Sequence, residues 1–269
     1  MTDISSSDLV KKITKTMRDM YEKGWDERNS GNVSVLLEKE WVDEYLDGRD
    51  VITSYDLDFC VPSLEGKYFL VTGAGKYFKD AVYYPREGLG IVKIADEGST
   101  AKLMWGFSGG GRPTSEFVAH LRSHEERLKT DPLNRVVLHS HPTNLICMSM
   151  VHDLDEREFT RTLWRMLAEA VIVFPDGIGI LPFMCFGTKE IGQKTAEKIK
   201  SFRIVLWANH GIYGAGKDIN EAFGLIDTVE KAAEVYLRTY GMETKNTLSD
   251  GDIIQVADYY GVKVKDGYL

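Results

Sequence analysis

The chain has 269 residues, of which 43% are apolar and 28% charged, an ordinary balance for a soluble globular protein. Its 33 basic and 41 acidic residues leave a net charge of −8. That argues against nucleic acid or an anionic membrane as the main partner, because both call for a basic footprint; a small phosphorylated ligand in a local site stays open. The first 15 residues are polar, without the apolar stretch of a secretory leader. Runs such as 170–174 and 178–186 are too short and too broken by Pro or Gly to span a bilayer. Cys60, Cys147 and Cys185 form no disulfide framework, which fits a reducing cytoplasm, and the apolar surroundings of Cys147 and Cys185 predict packed thiols.

No repeat or linker divides the chain, so one domain over 1–269 is the simplest organisation. In chain order, Ser7 or Asp8 caps a helix over 7–23 with Leu9, Ile13, Met17 and Met20 as its apolar stripe, closed by Gly24. A strand follows over 31–36. Residues 38–66 read as acidic, irregular surface. Strands are expected over 68–72, 90–94 and 101–105, the last two joined by the turn Asp96-Glu97-Gly98. Thr114 or Ser115 caps a helix over 114–129, and another helix covers 156–169. A strand over 171–174 and the turn Pro175-Asp176-Gly177 come next. A helix over 188–201 and a strand over 204–207 lead to the longest helix, 218–240, capped by Asp218 with Glu221 at N3. A last helix, 249–260, precedes a tail expected to fray. Strands and helices mix without a strict βαβ rhythm, so the class is α+β, layered on a central sheet, and not a doubly wound parallel fold.

The strongest chemical signal is His139-Ser140-His141, at the end of the β-branched run 136–138. Side chains two apart on a strand share a face, so both imidazoles converge on one point. His210, followed by Gly211, ends a similar run. Three neutral imidazoles with one position left open are a common catalytic zinc arrangement; the competing reading is packed core histidines. Glu116, His120 and His124 share one helix face at i, i+4, i+8. They offer a second metal face, but the neighbouring core stripe makes His120 and His124 structural or partly exposed residues. Pro113-Thr114-Ser115-Glu116 opens a helix whose free N–H groups favour an anion, though from this segment alone an ordinary cap with a dipole-favouring Glu in the first turn is the stronger reading. Gly73-Ala74-Gly75-Lys76 after a strand can cradle a phosphate through backbone N–H groups, yet it lacks the spacing of a P-loop. Asn29-Ser30-Gly31-Asn32 is turn chemistry by default. His152 reads as loop surface.

Taken in order, Gly31-Asn32-Val33-Ser34, Thr72-Gly73, Thr114-Ser115-Glu116, His139-Ser140-His141-Pro142 and His210-Gly211 resemble the class II, zinc-dependent sugar-phosphate aldolase family. The resemblance covers about residues 8–241. Two segments, 24–32 and 173–182, match its rhamnulose-phosphate branch more specifically. It implies a three-layer α/β/α domain with a central mixed, mostly antiparallel sheet, assembled as a homotetramer with active sites at subunit interfaces. It implies one zinc per subunit on His139, His141 and His210, with Glu116 as acid/base and Glu169 as a second carboxylate near a neighbouring site. Asn29, Asn32, Gly75, Thr114 and Ser115 would bind the substrate phosphate. Ala74 departs from the pattern, standing where that branch has Ser, so one hydroxyl contact is lost. The implied reaction cleaves a ketose 1-phosphate between C3 and C4. Alternatives are a fuculose- or ribulose-phosphate aldolase or epimerase or a dehydratase on the same scaffold, a non-catalytic metal-binding module of this fold, and a zinc hydrolase.

Overall fold

The short β-branched and aromatic runs pair into a sheet because all but one edge run carry apolar side chains to both faces, where helices cover them. The strands are β1 (Asn32–Leu36), β2 (Thr53–Asp56), β3 (Tyr68–Thr72), β4 (Leu89–Ala95), β5 (Thr100–Gly106), β6 (Val136–Ser140), β7 (Gly179–Leu181), β8 (Ile204–Trp207) and β9 (Gly211–Gly216). The computed structural model describes residues 3–269, and in it these nine strands form one sheet in the order β2-β5-β4-β3-β1-β6-β9-β8-β7. Every pairing is antiparallel except β7 with β8.

The helices are α1 (Asp8–Glu22), α2 (Lys39–Leu46), α3 (Pro85–Gly88), α4 (Phe117–Thr130), α5 (Thr143–Val151), α6 (Glu156–Met166), α7 (Ala168–Val173), α8 (Lys189–Ile199), α9 (Ile219–Thr239) and α10 (Asp250–Tyr260). Helices α1, α5, α6, α7 and α9 cover one face, packing Ile13, Leu145, Trp164 and Ile226 against Val33, Leu138 and Ile212. Helices α4 and α8 cover the other, packing Phe117, Leu121 and Ile191 against Phe69, Val137 and Val205. The result is a three-layer α/β/α fold around a mixed, mostly antiparallel sheet.

Several expectations are corrected. The span 38–66 is not irregular: it holds α2, with Trp41, Val42 and Tyr45 turned to the core, and edge strand β2. β2 is largely exposed on both faces, so it has no hydrophobic alternation to read. Residues 171–174 are not a strand. Leu167 breaks the preceding helix in an extended conformation, and the run 168–173 coils into α7, burying Ala170 and Val171. Helix α4 starts at Phe117, and neither Thr114 nor Ser115 is its cap. Pro113 bridges to Gly73, and the Thr114 N–H donates to the Thr72 carbonyl, so this segment runs extended beside the end of β3 before it turns.

The tail after α10 is docked. Val262, Val264 and Tyr268 pack on the core, and the Lys265 N–H donates to the Pro175 carbonyl at 2.9 Å. Cys147 and Cys185 are exposed, not packed. His152 is half-buried, with Nε2 2.8 Å from the Thr162 hydroxyl and its ring edge-on to Phe159.

Candidate active site

Strand register places the central groups in a row. Asn32 on β1 lies opposite His139 on β6, and His139 lies opposite Tyr213 on β9. Paired residues on neighbouring strands point to the same face, here the face under α4. Glu116, just before α4, closes over the row. Its Oε2 accepts hydrogen bonds from Asn32 Nδ2 at 3.0 Å and from the Tyr213 hydroxyl at 2.8 Å. The same carboxylate lies 3.4 Å from His139 Nε2 and 3.6 Å from His210 Nε2.

His139 Nδ1 donates to the Ile212 carbonyl at 3.0 Å, which fixes the tautomer and leaves Nε2 as a bare lone pair. Burial pushes His139 down to about 3, so the ring is neutral at pH 7, as a metal ligand must be. His141 Nδ1 donates to Glu27 at 3.0 Å, again leaving Nε2. A carboxylate behind a histidine in this way orients the ring and raises its basicity toward a metal. One nitrogen from each of His139, His141 and His210 lies within 4.8 Å of the others. The Nε2 atoms of His139 and His210 are buried without a protein hydrogen-bond partner among the described residues. Buried lone pairs of this kind require a partner, and three converging imidazoles can hold a divalent ion.

Burial raises the Glu116 carboxyl, but proximity to His139 and His210 and hydrogen bonds from Asn32 and Tyr213 more than offset it. The net effect holds Glu116 far below the usual carboxylate range. With His139 neutral at pH 7, the Asn32 and Tyr213 donors carry that effect there. Burial and the adjacent Glu116 push the Tyr213 phenol well above its usual value, so it stays a neutral donor.

These groups open onto a cavity of about 760 Å³, within the range of small-ligand sites. Of the residues expected in a site, Asn29, Asn32, Gly75, Thr114, Ser115, Glu116, His139, His141 and His210 all line it. Glu169 does not; it sits on the exposed side of α7. The bridge between Gly73 and Pro113 sets the Gly75 loop beside Thr114-Ser115. Among the described residues the N–H groups of Gly75 and Ser115 have no protein acceptor, so both are free to donate to an anion. Asn32 lines the cavity too, but its amide is already engaged by Glu116 and His120.

Sequence reasoning did not single out Glu27, Arg28, Asn209 or Tyr213. Arg28 brings a cation to the cavity wall, and Asn209, with φ +62°, turns the chain into His210. Tyr213 carried a signal only in hindsight of register: it stands opposite His139.

A sequence-family model described as "Class II Aldolase and Adducin N-terminal domain" matches residues 11–237. The chain belongs to this class II aldolase family. A curated relative from Listeria monocytogenes serotype 4b, named rhamnulose-1-phosphate aldolase, is 48% identical over 99% of this chain and 98% of its own. A second of that name, from Enterococcus faecalis, is 46% identical over 99% of this chain and 96% of its own. Among solved structures, a sugar-phosphate aldolase from Thermotoga maritima superposes with a TM-score of 0.76 at 29% identity, covering 88% of this chain and 97% of that one.

Proposed function

We propose that this chain is a zinc-dependent lyase that reversibly cleaves L-rhamnulose 1-phosphate to dihydroxyacetone phosphate and L-lactaldehyde. The observation that carries the chemistry is Glu116, poised 3.4 Å and 3.6 Å from two unpartnered imidazole nitrogens. The near full-length relatives carry the choice of substrate.

His139, His141 and His210 would hold the zinc, and a divalent ion there supplies a Lewis acid for oxygen atoms that gain charge when C3–C4 breaks. Cleavage leaves the bonding electron pair on the three-carbon fragment as an enediolate, and the net reaction moves one proton from the C4 hydroxyl to C3. Glu116 delivers the C3 proton in cleavage and removes it in condensation. Asn29, the Gly75 loop, Thr114 and Ser115 hold the phosphate with neutral donors, joined by Arg28; Asn32 reaches it only if it releases Glu116 or His120. That arrangement lets an acidic protein bind an anionic sugar. Glu169 serves as a second carboxylate in the cavity of a neighbouring subunit, within a cytoplasmic homotetramer.

Glu116→Gln keeps the shape but removes the proton-transfer group, so turnover should fall by about 10²–10⁴ while zinc stays bound. The decisive readout is exchange at C3 of dihydroxyacetone phosphate in deuterated water without aldehyde. The unmodified enzyme should exchange and Glu116→Gln should not; normal exchange in the variant would remove Glu116 from the role. Glu169→Gln should lower turnover in an enzyme that sediments as a tetramer. Unchanged turnover, or a monomer with full activity, would contradict the interfacial assignment.

A further inference from the structure

Ser34, His120 and His124 are buried beneath the cavity, and the scheme above uses none of them. Their placement follows from two matched periods. Four residues of helix rise about 6 Å, and two residues of strand advance about 6.6 Å. Glu116, His120 and His124 at i, i+4 and i+8 therefore step along β1 in time with Asn32 and Ser34.

The contacts join into one chain. His124 Nε2 lies 2.8 Å from Ser34 Oγ, and Ser34 Oγ lies 2.7 Å from His120 Nδ1. His120 Nε2 meets Asn32 Oδ1, and Asn32 Nδ2 donates to Glu116 Oε2. Burial pushes both histidines down to about 3, so each ring is neutral at pH 7 and carries a single N–H.

That leaves one consistent set of donors. Asn32 Oδ1 only accepts, so the His120 proton is on Nε2. His120 Nδ1 must then accept from the Ser34 hydroxyl, and Ser34 in turn accepts from His124 Nε2–H. Every donor points toward Glu116. A flipped Asn32 amide would set its carbonyl against the Glu116 carboxylate and would require both histidine tautomers and the Ser34 hydroxyl to reverse. With Asn32 held, it and Tyr213 both donate to Oε2, and Oε1, the oxygen 3.6 Å from His210 Nε2, takes neither bond. A protonated Glu116 then has no acceptor in Asn32 to draw its O–H away from substrate.

We infer that His120, supported by Ser34 and His124, is a positioning residue that locks the Asn32 amide so that Glu116 presents Oε1 for proton transfer. This rests on Glu116 being the acid/base. The amide ends the chain as a group that cannot pass a proton on, so the device orients Glu116 and does not drain its proton into the core.

The test measures zinc content, KM and kcat for L-rhamnulose 1-phosphate, and C3 exchange of dihydroxyacetone phosphate in deuterated water. His120→Phe keeps the ring volume and removes both hydrogen bonds. It should lower kcat and exchange by about ten- to a hundredfold, the scale of a misplaced catalytic group, with KM and zinc content unchanged. His120→Gln can donate to Asn32 and accept from Ser34, and should recover most of the loss. Ser34→Ala, a small change that does not depend on ring packing, should lower kcat and exchange several-fold and decides the matter where His120→Phe does not fold. Unchanged kcat in Ser34→Ala and His120→Phe, no recovery in His120→Gln, or losses confined to KM or zinc content would overturn the inference. Glu116→Gln is measured beside them. Exchange surviving there overturns the acid/base reading itself, whereas its loss there with normal exchange in His120→Phe overturns only the positioning role.

Discussion

Gly211 has an ordinary backbone conformation, and its small size matters for what stands beside it. A Cβ at this position would lie 2.4 Å from the Ser140 carbonyl oxygen, 2.8 Å from His141 Cδ2 and 3.0 Å from His139 Cε1. The nearest obstacle is backbone, so β9 must shift against β6 and the two rings must give as well, and metal sites tolerate displacements of only a few tenths of an ångström. Gly211→Ala should therefore fold but hold well under one metal ion per chain by elemental analysis, with activity lost in proportion. Full metal content in that variant would show that the rings adapt. At this scale the sequence is legible where chemistry follows chain spacing: the two-residue strand period alone puts His139 and His141 on one face. Glu27 and Tyr213 escape it, because their partners, His141 and Glu116, are fixed by a loop fold and by strand register. Neither is written in local spacing.

Helix α4 laid on β1 brings two fully buried histidines, His120 and His124, to the core, and β6 adds His139. All three are pushed from 6.5 to about 3, mainly by burial. Between those values the unfolded chain binds more protons than the folded one, so stability rises with pH across the window and is lost as pH falls through it. Asp26, raised well above 3.8 by burial and by Glu27, and Glu230, raised mainly by burial, act with the opposite sign, but they are two groups against three. The melting temperature of the metal-free protein should therefore drop steadily as pH is lowered from 7 toward 4; a flat profile would contradict the neutral buried histidines. Helix α4 was visible from its apolar stripe and its i, i+4, i+8 polar face, but its first turn was not. The Gly73–Pro113 bridge that keeps 113–115 extended is a long-range contact, and local capping preference loses to it. The run 168–173 fails similarly: five small or β-branched apolar residues around Glu169 suit a short helix or a strand equally, and packing against α9 and α10 decides.

Across the molecule, one sheet carries Asn32, His139 and Tyr213 on adjacent strands while loops at 24–31, 73–76 and 113–116 close the cavity above them. The layer architecture was legible because strand and helix periods are mixed along the chain, whereas the strand order was not, since setting β1 beside β6 joins segments about a hundred residues apart. The docked tail was misread because its anchors, Pro175 and the core beneath α10, lie far off in sequence. No helix among the described residues is long and apolar enough to cross a membrane. Glu169 lies away from this chain's own cavity, so the role proposed for it requires a neighbouring subunit. The most direct test of the account is release of dihydroxyacetone phosphate from L-rhamnulose 1-phosphate by protein stripped of metal and then restored with zinc. The account predicts no cleavage by the stripped protein and full recovery as zinc binding approaches one ion per chain; undiminished cleavage by metal-free protein would contradict it.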